Sequence, residues 1–415
     1  MSTEDFYRQL YFSNENILMH GPGGTGKTYD IKQYIEYLKT SDDKPIFAYL
    51  APTGTAANNI EGMTIHSFFK FGVYTETDSI EDDINMLVGR CKYQPCGLQI
   101  LIIDEISMVG YRLFSAIDRV LRNKYDLTKP MGGVRCIFSG DFLQLQPVKD
   151  EYCFKTDVWN NLNLVTLKYD VQKRYTCDAT FDLLMRLRIN KLTPEDKQWL
   201  TTRVEAYKNG EHEKLEIKPV LIYTRNSDVD MINQREMKKI NSQEYIHVAK
   251  NVLTSKSKRQ PNIPEWEQNK ILDQIVDRQC VLKVGANVML YRNFSVSEGL
   301  TNGRLGIVVD INREFNLIKV RFSDNIVHTI SPKEYAVEGV NWKLSRTQIP
   351  LRPAWAITSH KCQGMTLDSA VVKLHGCFAK GQMYTTAARV KSIDNLFIID
   401  IDFKNIKTLD DERWH

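Results

Sequence analysis

The chain has 415 residues, 42% hydrophobic and 26% charged, with a formal net charge of +4. It is long enough for two or three domains, and its charge neither demands nor excludes a nucleic-acid partner. It contains no run of eighteen apolar residues, and Met1 to Asp5 lack the basic and apolar regions of a secretory signal, so a soluble intracellular protein is expected. The eight cysteines are scattered, and Cys91 and Cys96 have no second pair at zinc-site spacing. Reduced thiols are therefore expected rather than a disulfide framework or a metal site.

The first short apolar run, Ile17-Leu18-Met19, leads into Gly21-Pro22-Gly23-Gly24-Thr25-Gly26-Lys27-Thr28, which satisfies every position of the phosphate-loop pattern. In that pattern the N–H groups of Gly23 to Lys27 surround the β-phosphate, Lys27 neutralises β/γ oxygens and the Thr28 hydroxyl ligates Mg²⁺. A helix with apolar residues at three- and four-residue spacing is expected from Tyr29 to Lys39. Ile46 to Ala51 reads as a strand running into Pro52-Thr53-Gly54-Thr55. Ile100-Leu101-Ile102-Ile103 ends in Asp104-Glu105, where Asp104 would hold magnesium through water and Glu105 would polarise an attacking water. An Asp-Glu pair alone is also common at solvated strand ends; beside a phosphate loop it points to hydrolysis.

A helix over Gly110 to Arg122 and a strand from Arg135 to Ser139, running into Gly140-Asp141-Phe142-Leu143-Gln144, complete a first doubly wound α/β domain of about 165 residues. The same rhythm returns at Pro219 to Thr224, Ala354 to Thr358 and Asn395 to Ile399. These predict a second α/β domain without its own phosphate loop. Between them, Cys280–Lys283, Asn287–Tyr291, Gly306–Asp310, Leu317–Phe322 and Ile326–Ile330 are short apolar segments separated by turn residues, the pattern of a small antiparallel barrel. Lys250 to Arg259 carries four cations and no acid, and Glu76 to Asp83 is acidic. Each reads as a solvated loop, the first also as a weak nuclear-targeting run.

The order of motifs resembles the helicases of superfamily one, in the 5′-to-3′ group of Pif (petite integration frequency) and RecD-like enzymes, and most of all the Pif branch. The resemblance is carried by Ala51–Ala57 with Gly62–Phe69, Asp104–Met108 continuing to Arg122, Gly140–Val148, Val284–Met289 with Leu300–Gly306, and Thr358–Leu367. It implies two RecA-like domains, with domain 1A at 1–168 and a small wedge insertion at about 70–97. Domain 2A would comprise 169–230 and 345–415, interrupted by an SH3-like 2B subdomain at 231–344.

The resemblance further implies ATP and Mg²⁺ as cofactors, single-stranded and forked or tailed duplex DNA as partners, a role in replication, repair or recombination, and a monomer recruited by other replication or repair proteins. Gln144 would sense the γ-phosphate or position the attacking water. Arg174 and Arg389 would be arginine fingers from the second domain, and Gln363 and Gly364 would lie beside the nucleotide. Thr53, Thr55, Thr64, His66, Ser67, Phe69, Thr358 and His360 would line the DNA track, with Phe68 an alternative to Phe69 for base stacking. Two departures stand out: no Leu-Ser-x-x-Gln element for adenine precedes the loop, Gln9 being the nearest glutamine, and Ala388 replaces the usual serine before Arg389. A DNA-stimulated ATPase clamp that does not unwind and a small-molecule phosphotransferase are the competing classes.

Overall fold

The computed structural model describes residues 10–414 apart from 72–76, 78, 90, 92–96, 176, 224–225, 256–262, 274–275, 296–297, 339–341 and 363–364. The chain divides into two compact units. Unit one comprises Met1–Lys191, Phe378–Tyr384 and Lys407–His415; unit two comprises Leu192–Cys377 and Thr385–Ile406.

Unit one is built on six parallel strands: β1 (Ile17–His20), β2 (Phe47–Ala51), β3 (Met63–Thr64), β4 (Ile100–Ile103), β5 (Arg135–Gly140) and β6 (Val165–Lys168). Their order is β3-β2-β4-β5-β1-β6. All four residues of β1 and of β4 are buried, as strands covered on both faces require. Alternate residues feed two cores. Ile17, Met19, Ile102 and Ile137 face helix α1 (Lys27–Thr40), which buries Ile31, Tyr34, Ile35 and Leu38 at helical spacing. Leu18, Leu101, Ile103 and Phe138 meet Phe114, Ile117 and Leu121 of helix α2 (Tyr111–Lys124) on the other face. The sheet is thus doubly wound, with β5 between the phosphate-loop strand β1 and the acidic strand β4.

Unit two has a four-stranded parallel sheet, ordered Ala356–Thr358, Val220–Tyr223, Ala370–Lys373, Leu396–Asp400. Three antiparallel sheets lie between residues 245 and 353. The largest contains Asn287–Leu290, Leu305–Asn312, Leu317–Phe322, Val327–Ile330 and Leu351–Pro353, and its inward residues Val288, Leu290, Val320, Phe322 and Ile330 share one core. The five segments expected to form a barrel all become strands. Lys333–Glu338 and Trp342–Gln348 pair as well, although their mixed polar sequence gives little alternation to read. Asn251–Ser255, expected as loop, is a strand hydrogen-bonded to Trp342–Arg346; residues 256–259 of the basic run, and most of the proposed wedge apart from the helix Ile80–Gly89, lie outside the described residues.

The expected boundary after residue 168 shifts to 191. Residues 169–191 are held to unit one because the Lys173 N–H donates to the Gly24 carbonyl at 2.8 Å, and Arg188 Nη2 is 2.7 Å from Asp141 Oδ1. Residues 378–384 and 407–415 also leave the expected second domain. The Gly381 N–H donates to the Lys407 carbonyl, and Trp414 enters an aromatic cluster, 4.4 Å from the Phe142 ring and 5.1 Å from Phe154.

Trp414→Ala removes a side chain only 7% exposed and is expected to destabilise unit one by about 3–5 kcal/mol. Hydrogen exchange should show faster opening of β1 and β5 amides, with the amides of the four-stranded sheet of unit two unchanged.

Candidate nucleotide-binding site

The loop Gly21–Thr28 leaves the carboxyl edge of β1 and enters α1 through two glycines in left-handed conformation, Gly24 at φ 88° and Gly26 at φ 100°. A side chain is excluded at either position by backbone conformation, and at Gly24 also by contact, since a Cβ would lie 2.7 Å from Arg174 Cβ. Gly26 is the N-cap of α1 and makes no side-chain cap, so the first helical N–H groups, with the positive end of the helix dipole, face the loop. The Gly23 N–H, expected among the phosphate donors, is instead given to Tyr384 Oη at 3.2 Å, while Tyr175 Oη donates to the Gly23 carbonyl at 3.4 Å. These two tyrosines, remote in sequence, hold the loop's outer turn.

Lys27 Nζ donates to the carbonyls of Gly21 at 2.6 Å and Pro22 at 2.7 Å. Burial lowers the Lys27 pKa from its usual value, opposed by the negative charges of Asp141, Glu105 and Asp104. Thr28 Oγ1 donates to Asp104 Oδ2 at 3.0 Å, joining the start of α1 to the end of β4. Burial raises the Asp104 carboxyl; the Glu105 N–H, the Thr28 hydroxyl and Lys27 oppose it. A hydroxyl and a carboxylate oxygen side by side are hard donors that suit Mg²⁺, which takes few protein ligands and keeps several waters. At Glu105 the chain turns in left-handed geometry (φ 53°), an unfavourable conformation for a non-glycine residue that ends the strand abruptly at the acidic pair.

Asp141, at the end of β5, is fully buried. Burial alone would raise its carboxyl, but Arg188, then His20 and Lys27, hold it below the usual range. Gln144 Nε2 donates to Asp141 Oδ2 at 3.3 Å, and the Leu143 N–H donates to Oδ1 at 3.1 Å. The structure therefore brings Lys27, Thr28, Asp104, Glu105 and Gln144 together along one sheet edge. Arg174 belongs to this same unit and packs against Gly24, a correction to its expected origin in the second domain. Arg389 lies in unit two, 1% exposed, with Nε donating to the Thr385 carbonyl at 2.7 Å and Nη1 to Met365 at 3.5 Å. Gln363, Gly364 and Gln9 lie outside the described residues.

Of the residues expected on a DNA track, Thr53 accepts from the Ala56 N–H at 3.2 Å, capping the helix Gly54–Asn59 that carries Thr55. Thr64 caps the next helix, accepting from the Ser67 N–H at 3.2 Å and donating to Ser67 Oγ at 2.8 Å. His66 is solvent-exposed on that helix, edge-on to Phe71 at 6.2 Å; the chain packed around the ring still desolvates it enough to lower its pKa. Phe69 is a correction: it is 0% exposed and stacked on Phe71 at 5.3 Å, so its face is not offered to a base. Half-buried Phe68 remains. Thr358 is 3% exposed, and His360 lies in the short helix Ser359–Cys362.

Residues 8–198 match the model of the PIF1-like helicases, and residues 269–311 match that of the 2B domain of DNA helicase Pif1. The chain belongs to the PIF1-like helicase family. A Xenopus laevis relative, ATP-dependent DNA helicase PIF1, is 31% identical over 413 residues, covering 95% of this chain and 60% of that protein; the chain thus spans about three-fifths of that relative's length. The Pif1 helicase from Candida albicans superposes with a TM-score of 0.70 at 27% identity, covering 99% of this chain and 97% of the other. A Bacteroides Pif1 bound to ADP-AlF3 and single-stranded DNA gives 0.61 at 26% identity, covering 98% and 94%. The RecA-like α/β fold expected from the family motifs is therefore present.

Linear sequence did not reveal His20, Arg188, Tyr175, Tyr384 or Trp414 as parts of this candidate site. Only His20, adjoining the loop, carried a positional signal. Its ring is 5.1 Å from Trp414 and stacked on Phe142, with Nε2 3.9 Å from Asp141 Oδ1, and burial pushes its pKa down to about 4. Because the folded value lies below the unfolded value of 6.5, stability is full above pH 6.5 and is lost as the pH falls towards 4. The loss should reach about 3 kcal/mol. Urea titrations of unit one at stepped pH should show this slope in the wild type and a shallower one in His20→Gln.

Proposed function

We propose that this chain hydrolyses ATP to translocate 5′ to 3′ along single-stranded DNA and to unwind duplex ahead of it, in replication, repair or recombination. The observation that carries the reading is the Thr28–Asp104 contact, which couples the phosphate loop to the acidic strand end in a chain whose relatives are named ATP-dependent DNA helicases. Thr28 and Asp104 would hold Mg²⁺, which when bound neutralises charge on the β/γ oxygens. Lys27 would exchange a loop carbonyl for phosphate oxygens. Glu105 would orient and deprotonate water, and Gln144, positioned by Asp141, would contact the γ-phosphate. Arg174 is assigned a phosphate contact within unit one. Arg389 retains the arginine-finger role, with Gln363 and Gly364 beside the nucleotide.

Thr53, Thr55, Thr64, His66, Ser67 and His360 are assigned to the DNA strand, with Phe68 replacing Phe69 as the stacking ring. Residues 70–97 are assigned to strand separation, and the 2B region to an SH3-like DNA-contacting subdomain.

ATP turnover measured with and without single-stranded DNA, alongside unwinding of duplexes bearing a 5′ or a 3′ tail, tests the reading. Strong stimulation with unwinding from the 5′ tail alone is expected. Stimulation without unwinding identifies a DNA-gated clamp, and turnover indifferent to DNA removes the motor assignment.

Lys27→Ala should abolish turnover with single-strand binding retained, and Glu105→Gln should bind ATP without turning it over. Arg389→Ala should slow turnover roughly 10³-fold, with nucleotide affinity changed far less; a fall in affinity alone argues against the finger.

A further inference from the structure

Unit two contains a buried arginine whose charge is not neutralised by any hydrogen-bonded carboxylate among the described residues. Arg292 follows the strand Asn287–Leu290 and is 5% exposed. Its Nε and Nη2 are buried and have no hydrogen-bond partner. Three neighbours present further unused polar atoms: the hydroxyls of Tyr291 and Tyr335, and Nε of Arg352. The four side chains form one cluster, with the Arg292 guanidinium 5.6 Å from the Tyr335 ring centre and that of Arg352 4.2 Å from the Tyr291 ring centre.

Asp277 is the carboxylate paired here, 3.0 Å from Arg352 Nη2. Two guanidinium charges against one carboxylate leave one positive charge in excess. Burial lowers the Arg292 pKa to about 10, which still leaves it charged at neutral pH. An uncompensated buried cation is costly, and so is each buried donor left without an acceptor. Arg346 in the same unit shows the satisfied alternative. It is 0% exposed, and its guanidinium donates to Asn251, Asp273, Val276 and Asn269.

We propose that Arg292, Arg352, Tyr291 and Tyr335 form a phosphate-binding site, separate from the phosphate loop. The donor set is specific: guanidinium forks match tetrahedral oxyanions, and phenolic hydroxyls add neutral donors that a phosphate can accept from without an added positive charge. The oxyanion is either a phosphodiester of a nucleic-acid strand or free phosphate. The first source rests on the function proposed above; the second does not.

The test has two arms. In the first, affinity for single-stranded oligodeoxythymidylate is measured over a range of salt for wild type, Arg292→Met, Arg292→Lys and Tyr335→Phe. A phosphodiester site predicts about tenfold weaker binding for Arg292→Met. Its log–log salt slope should be shallower by about 0.7, one single-strand phosphate contact. Arg292→Lys should recover the slope, and Tyr335→Phe should weaken binding with the slope kept, so the site is still tested if Arg292→Met fails to fold.

In the second arm, thermal stabilisation by inorganic phosphate is measured in a Lys27→Ala background, where the phosphate loop is disabled. Stabilisation that disappears with Arg292→Met or Tyr335→Phe, while DNA binding is unchanged, identifies free phosphate as the ligand. Wild-type protein that ignores DNA but keeps this phosphate response refutes the motor and retains the site. Unchanged behaviour of both variants in both arms overturns the proposal and leaves Arg292 as a structural cation stacked on Tyr335.

Discussion

Asp141 is a carboxylate with no exposed surface, and the geometry of the nucleotide site depends on how its charge is met. Arg188 satisfies it with Nε at 3.1 Å from Oδ2 and Nη2 at 2.7 Å from Oδ1. The same carboxylate then accepts from the Leu143 N–H and the Gln144 side chain, which orients the segment that follows β5. Breaking such a buried pair by removing one partner costs about 3–5 kcal/mol, so Gln144 is held by a strong constraint rather than by a flexible loop. Arg188 also donates to the Trp414 carbonyl at 3.3 Å, which places residues far apart in sequence under the same electrostatic requirement.

That arrangement explains why the unit recruits segments from beyond residue 377. Gly381 approaches the backbone so closely that a Cβ would sit 2.3 Å from the Gln144 carbonyl oxygen and 2.4 Å from that of Leu143, and Tyr384 takes the Gly23 N–H. The loop after β1 and the loop after β5 are each braced by the segment 378–384. A phosphate loop needs donors fixed before the ligand arrives, because ordering them at binding would subtract from affinity.

Much of this was legible in the sequence. The strands Ile17–His20, Ile100–Ile103 and Arg135–Gly140 are short apolar runs that end in glycine or acid, and both the pattern and the motif spacing placed Lys27, Asp104 and Gln144 on one edge. The braces were not legible, since Arg188, Tyr384 and Trp414 acquire their roles only through contacts more than forty residues distant. Phe69 illustrates the converse limit: in Phe68-Phe69-Lys70-Phe71 the residue types permit either packing or base stacking, and the hydrophobic core beneath β2 decides for Phe69. The extension of compact unit one to Lys191 was hidden for the same reason, because an ion pair between positions 141 and 188 leaves no local trace.

The buried cations of this chain differ in what meets their charge, and that difference separates structural from ligand-seeking groups. Arg188 faces a carboxylate, Arg346 a carboxylate with two side-chain amides and a carbonyl, and Arg389 the carbonyls of Thr385 and Met365. Lys27 rests on two loop carbonyls while three carboxylates act on it through space, the balance expected of a cation that must exchange partners without losing its charge. Arg292 has the Tyr335 face and a second arginine beside it, and Asp277 acts on it only through space. A tyrosine face offsets part of the desolvation of a guanidinium, typically by about 2 kcal/mol when buried, which is less than the several kcal/mol that burying the ion takes. The shortfall is what an oxyanion would supply.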